Sequence, residues 1–487
     1  MSSRTAVLLV LLACACQRST PSAGPVAGAW VAMLESSGTV ENSALALTPA
    51  GDLVAVAAVQ LADDSGTLVV RVGEARRELP VASGPKTGGM VPEIVARLGP
   101  GGELRGLHAL ELGAFVLAAG GLADGGLAAI GTYDAAVGMA TIAAGAAGSG
   151  GAYVARVDAA AQPAWVRPIA GRGAVPMAVT GTPDGGVAVA GYFGEEVAIA
   201  GSRLAAPAGG SPLFVASFAA DGQLRWLRGA ESGQVVPALI GAAADGSLRV
   251  VGGCDGRAVL RGASTTKTVE CGTPGQVFAA AFTADGEPAW FTGLPGKVDA
   301  MNLRGVVLAD GEVAIAGAFG EAIGGGGFPE VSATPGMDGF VARIDAAGAP
   351  KWLRHIRGPG VDLVRSIAAD ADGSLWVLAI TDEDAEIVEE TGTRRVDGAL
   401  LLQLDAMGVL ARMTRLGDVL RPSGEQITGL SPYRVAVGGG VVRLAGTVFG
   451  EVALRVGGSH VALSAPTEMM RGSGFVVGFP VEAVPPP

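Results

Sequence analysis

The sequence predicts an all-β chain: a seven-bladed β-propeller of four-stranded blades, closed by pairing of the C-terminal strand with the N-terminal blade. Three observations predict it. Short apolar stretches alternate with period two and are broken by 78 glycines, the pattern of many strands and tight turns. An aromatic-led strand, a tryptophan and a glycine-headed strand recur in fixed order, about sixty residues apart. One copy of that order is divided between the two ends of the chain.

Length alone, 487 residues, would suggest two or three domains unless internal repeats build one large ring or solenoid. With 49% hydrophobic and only 16% charged residues, the chain has enough apolar surface to offset its ordering entropy, which excludes disorder. The net charge of −12, without any Lys/Arg cluster, excludes nucleic acid as a partner. His108, His355 and His460 are scattered without ligand spacing, so neither a metal nor another cofactor is expected.

Met1 to Cys16 reads as an export signal lying outside the fold. Arg4 precedes the apolar run Ala6 to Ala13, which is too short for the ~20 residues that span a bilayer. Leu11-Leu12-Ala13-Cys14 resembles the lipobox of bacterial lipoproteins, in which the cysteine is acylated and becomes the new N-terminus. That resemblance implies lipidation at Cys14 and a membrane partner through the lipid. Cys16, after Ala13-Cys14-Ala15, is a poorer match, and ordinary cleavage without lipid is the alternative. No Asp follows either cysteine, which by the same resemblance points to the outer membrane or the cell exterior. Residues 17–28, rich in Ser, Pro, Gly and Ala, form a flexible tether, and 29–480 form the single propeller domain, followed by the Pro-rich tail 481–487.

Within the domain, Trp30 is followed 21 residues later by Gly51, but no aromatic-led strand precedes it. The missing strand stands at the other terminus, as Phe475-Val476-Val477-Gly478-Phe479, with no tryptophan after it. Four complete copies place the leading aromatic and the tryptophan twelve residues apart: Tyr153 with Trp165, Phe214 with Trp226, Phe278 with Trp290 and Phe340 with Trp352. Glu93 to Arg105 and Leu400 to Arg412 keep the spacing with Arg in place of Trp. Gly51, Gly125, Gly185, Gly246, Gly311, Gly373 and Gly440 head the alternating strands, which makes seven. Read from one aromatic-led strand to the next, the blades are 93–152, 153–212, 213–276, 277–339, 340–399 and 400–474, with 29–92 and 475–480 sharing the seventh. Closing the ring pairs the edges that an open array would expose.

Phe340-Val341-Ala342-Arg343-Ile344-Asp345-Ala346-Ala347-Gly348, leading to Trp352, resembles the unit of the bacterial seven-bladed propeller repeat proteins, Phe-Val-x-Lys/Arg-Leu-Asp-x-x-Gly followed by Trp. The resemblance extends from Trp30 to Phe479 and implies an exported surface protein with no defined active site. Asp221-Gly222-Gln223-Leu224-Arg225-Trp226 also resembles, less closely, the tryptophan-docking repeats of quinoprotein-type propellers.

The recurring tryptophans are read as packing residues between blades rather than ligand-stacking platforms. Each Asp-Gly pair supplies a hairpin turn; at Asp370-Ala371-Asp372-Gly373 calcium is the alternative, although the outer acidic ligands are missing. Cys254 and Cys271 flank a predicted hairpin, and export favours a disulfide between them over metal binding. Residues that break the repeat are the candidate binding loops: Arg354, His355, Arg357 and Asp362. The acidic insertion Asp382 to Glu390 and the longer one around Arg421 to Glu425 join them, with a solvated loop face as the alternative. No catalytic signature is present, so no catalytic residue is assigned, although carboxylates converging from separate blades would leave no sequence mark. The chain is expected to act as a monomeric binding or interaction scaffold for a protein or glycan, and more as a binder than as an enzyme. The alternative is a propeller enzyme, quinoprotein-like or a glycan-acting hydrolase.

Overall fold

The computed structural model describes residues 7–9, 28–35, 39–48, 51–60, 65–72, 75–82, 94–110, 115–133, 151–206, 210–230, 233–298, 302–389, 392–417, 421–423, 426–464 and 472–487. Cys14, its alternative Cys16 and the tether as far as residue 27 lie outside them. The chain forms two compact units: residues 1–111, 365–383 and 396–487 make the first, and 112–364 with 384–395 the second. The fold is all-β, built of curled antiparallel sheets.

Among the described residues, one antiparallel four-strand order recurs seven times. In the second unit it is typified by Val175–Gly181, Val187–Tyr192, Leu213–Phe218 and Leu224–Ala230, hydrogen-bonded in that sequence. Before it in the chain comes Phe115–Gly121, Leu127–Tyr133, Gly151–Val157 and Pro163–Ala170. After it come Gln234–Ala242, Leu248–Arg261, Thr266–Phe282 and Pro288–Leu294, then Arg304–Val307, Val313–Gly325, Asp338–Ile344 and Pro350–Arg357. The first unit holds Thr39–Leu47, Leu53–Gln60, Ile94–Leu98 and Leu104–Ala109. Leu363–Ala369, Leu375–Glu389, Gly392–Leu404 and Leu410–Gly417 lie mostly there, with residues 363–364 and 384–395 assigned to the second unit.

The remaining module joins the termini. Gln426–Gly438, Val441–Phe449 and Gly472–Pro480 pair in order, and Trp30–Glu35 completes the sheet through Trp30 with Gly478, Val31 with Val477 and Ala32 with Val476. The expected partnership of the two ends is therefore present, but the module boundaries differ from those expected. Each sheet joins a glycine-headed strand to the following aromatic-led strand, as in Val187 opposite Phe218, so 53–60 belongs with 94–98 and not with the terminal strands. The reason is physical: the tryptophan strand ends its sheet by turning its ring onto the next module, so the chain crosses between sheets after it. Val7–Leu9, expected to stand outside the fold, runs parallel to Gly472–Gly474.

In five modules a hairpin between the second and third strands leaves its own sheet and pairs with the last strand of the preceding module, or with its continuation. Ile169 meets Ile199, Gly229 meets Arg261, Gly296 meets Ile323, His355 meets Val388 and Ala32 meets Val72. Neighbouring sheets thus share backbone hydrogen bonds. The third strands are covered on both faces: every residue of Leu213–Phe218 and Asp338–Ile344 is buried. Phe214, Phe278, Phe340 and Phe475 are wholly enclosed, each worth about 1.5–3 kcal/mol of apolar transfer.

Candidate functional site

The tryptophans of the repeat are spent on joining modules. The turns after third strands expose a carbonyl, while side chains take local amides in several of them: Asp345 Oδ1 accepts from Ala347 and Ala349 N–H, and Thr283 Oγ1 from Glu287 N–H. Trp226 Nε1 donates to Ala284 O at 2.8 Å, and Trp30, Trp165 and Trp290 donate to Pro100, Ala220 and Ala346 carbonyls, each at 2.9 Å. The ring lies flat on the turn. At Gly286, φ is +82° and a Cβ would stand 2.5 Å from the Trp226 ring, so both backbone and space demand glycine. Gly222 and Gly348 receive Trp165 and Trp290 in the same way.

Two residues beyond Trp165, Trp226 and Trp290 a second donor takes the glycine carbonyl. Arg167 Nε reaches Gly222 O at 3.0 Å, Arg228 Nε reaches Gly286 O at 3.2 Å, and Thr292 Oγ1 reaches Gly348 O at 2.7 Å. The guanidinium also sits over its own tryptophan, 5.7 Å from the Trp165 ring for Arg167 and 6.0 Å from the Trp226 ring for Arg228. Of the two arginines expected in tryptophan's place, Arg412 makes a polar joint, its Nη1 donating to Val484 O at 2.6 Å in the C-terminal tail, whereas Arg105 pairs with Asp52 at 2.5 Å inside its own module.

The first strands of successive modules in the second unit lie side by side with very little room. A Cβ on Gly120 would come 3.0 Å from Val179 O, one on Gly241 2.5 Å from Val307, and one on Gly305 2.8 Å from Leu239. Phe115–Gly121, Val175–Gly181, Gln234–Ala242 and Arg304–Val307 are made almost entirely of Ala, Gly, Val and other aliphatic residues. Such an edge offers few groups for proton transfer.

The residues expected in binding loops lie elsewhere. Arg354, His355 and Arg357 belong to strand Pro350–Arg357. Arg354 stands 5.6 Å over the buried Trp352 ring, repeating the part of Arg167 and Arg228. His355 and Asp362 are buried, and Arg357 binds Glu386 at 3.0 Å. The acidic insertion continues strand Leu375–Glu389, which pairs with Gly392–Leu404, and its Asp384 faces Arg395 at 3.7 Å; Glu390 lies outside the described residues. The Asp370–Gly373 turn uses its aspartates internally, on Ala371 and Ser374 N–H. Arg421–Ser423 pairs with residues 426–428, and Gly424 and Glu425 lie outside the described residues.

What the structure does assemble around His355 is a polar cluster. His355 Nε2 lies 2.6 Å from Asp338 Oδ2, and Asp338 also accepts from Thr334 N–H at 2.9 Å and Thr334 Oγ1 at 2.7 Å. Phe319 covers the imidazole, with ring centroids 5.3 Å apart. Burial pushes the histidine below its ordinary value and Arg357 adds to this, while the Asp338 hydrogen bond opposes them. The neutral ring therefore donates Nε2–H to Asp338.

Sequence reasoning missed Asp338, Thr334 and Glu287. Glu287 is held by the tip of the hairpin 248–282, accepting from Thr265 Oγ1 at 2.8 Å and N–H at 2.9 Å, from Ser264 N–H at 3.1 Å and from Ala263 N–H at 2.6 Å. These bonds, Thr265 Oγ1 foremost, lower its carboxyl to about 2. At the base of the same hairpin Cys254 and Cys271 form the expected disulfide, closing a separation of 17 residues.

No family model matches the chain, and no curated protein is significantly similar to it. Among solved structures, it is similar to a catalytically inactive virginiamycin B lyase from Staphylococcus aureus with quinupristin, at 11% identity over 91% of this chain and 99% of that one, TM-score 0.41. It is also similar to polysaccharide lyase Uly1, at 8% identity over 98% of both chains, TM-score 0.39. A streptogramin B lyase aligns at 10% identity over 92% of this chain and 97% of the other, TM-score 0.39.

Proposed function

We propose that the chain is a closed seven-bladed propeller, exported and tethered to the outer membrane by lipid on Cys14. There it serves as a monomeric scaffold that presents its hairpins and loops to a protein or glycan. The observation that carries this reading is the division of labour among side chains. Tryptophans and arginines are engaged in joining modules and turn aspartates in holding their own turns, and the first strands of the second unit present small aliphatic residues where an enzyme needs converging acids and bases. The terminal pairing of Trp30 with Gly478 supports closure, and the Cys254–Cys271 bridge supports an oxidising compartment.

The test uses the full chain in a Gram-negative envelope with a clickable fatty acid. Wild type is expected to take the label and sediment with outer membranes, and Cys14→Ser to lose both properties; an unlabelled wild type ends the anchoring claim. Purified protein should bind envelope glycan or protein saturably and release it unaltered. Turnover of the bound material would transfer the chain to the enzymes.

A further inference from the structure

Of the four modules in the second unit, one carries a titratable pair where the other three carry none. His355 stands three residues after Trp352; the same place after Trp165, Trp226 and Trp290 is taken by Pro168, Gly229 and Gly293. Asp338 stands two residues before Phe340, where Gln276 precedes Phe278. Both side chains accept a backbone amide from four residues earlier, Asp338 from Thr334 N–H and Gln276 Oε1 from Gly272 N–H at 2.5 Å. The capture of the incoming loop is thus a property of the fold, whereas the imidazole beside it is an addition. A neutral amide suffices for that capture in the neighbouring module.

We propose that His355 and Asp338 form an acid-released latch, holding the end of strand Pro350–Arg357 against the 333–337 segment and against the far end of Leu375–Glu389. In the closed latch a neutral imidazole bridges from Asp338 to the underside of Phe319, and the backbone pairs His355 with Val388, Ile356 with Ile387 and Arg357 with Glu386. A second proton on the ring creates a cation where water is excluded. The charged groups around it are Arg354 and Arg357 on its own strand, Asp338 on the adjoining strand, Asp362 in the following segment, and Glu386 on the facing strand, already committed to Arg357 at 3.0 Å. Strand Val313–Gly325 contributes the apolar Phe319 ring. Hydrating the imidazolium requires the strand end to part from 386–388 and from Thr334, so acid favours the open form. Within the second unit the opening belongs to this module, because Gly229, Gly293 and Pro168 have nothing to titrate.

Hydrogen exchange read by mass spectrometry at pH 7.5 and pH 5, corrected for intrinsic rates, tests the latch on the full chain. Segments 333–338, 355–362 and 384–389 should open more at pH 5, approaching about tenfold per unit below the histidine midpoint, while 226–230 and 290–294 stay constant. His355→Gln retains an N–H donor without the second proton and should abolish the acid response. Equal protection at both pH values in wild type, or an undiminished response in His355→Gln, overturns the proposal. Should that variant not fold, histidine NMR on wild type decides. A His355 midpoint below 6.5 that coincides with the rise in exchange supports the latch, and a midpoint at or above 6.5 refutes it.

Discussion

A single pair of atoms explains why the repeat reads as it does. The indole Nε1 of Trp226 needs a carbonyl, and the only backbone that can lie flat beneath the ring while turning its oxygen outward is a left-handed glycine turn. Truncating Trp226 to Ala should cost about 3–5 kcal/mol, read as a fall in Tm, because a large buried ring and its donor are both lost. The spacing of Trp226 from Phe214 was visible in the sequence because it is set within one β-hairpin. Asp338 and His355 were not visible as partners, since they lie 17 residues apart on two strands whose register only hydrogen bonding defines. Glu287 was hidden for a similar reason, its partners arriving from a hairpin 22 to 24 residues earlier in the chain. Its carboxyl is lowered from 4.5 to about 2, so its stabilising contribution is complete above pH 4.5 and is lost as pH falls toward 2. Glu287→Gln should therefore flatten acid denaturation across that window, leaving a smaller stability difference between pH 6 and pH 3 than wild type shows.

At the scale of elements, the inserted hairpins do what the sequence only hinted at. Nothing in the residues of the hairpin 196–205 named the preceding module's last strand as its partner, although Ile199 pairs with Ile169. Module boundaries were equally illegible, because a cyclic order of signatures reads the same from any starting point. The longest hairpin, 248–282, is pinned at its base by Cys254–Cys271 and at its tip by Glu287. Loop-closure entropy gives the disulfide about 3 kcal/mol for a separation of 17 residues. Cys254→Ser with Cys271→Ser, or reduction of wild type, should lower the urea midpoint accordingly, and Glu287→Gln combined with it should be more than additive if base and tip restrain one element.

At the scale of the molecule, the N-terminal strand Trp30–Glu35 and the C-terminal strand Gly472–Pro480 share one sheet, with Gly28 a Cβ distance of 3.4 Å from Pro480. This was the most legible long-range fact, since a strand missing at one end and surplus at the other is an arithmetic clue. Removing residues 472–487 should deprive Val31, Ala32 and Met33 of their cover and abolish cooperative unfolding of the first unit, measured by limited proteolysis and circular dichroism. The tail adds a further tie, for Met413 N–H donates to Pro485 O and Arg412 to Val484 O. A ribosome releases Trp30 hundreds of residues before it releases Gly478, so the sheet that Trp30–Glu35 belongs to stays apolar and unfinished until strand Gly472–Pro480 has been made. A copy that stops short of residue 472 keeps its first strand uncovered, an apolar edge open to proteases.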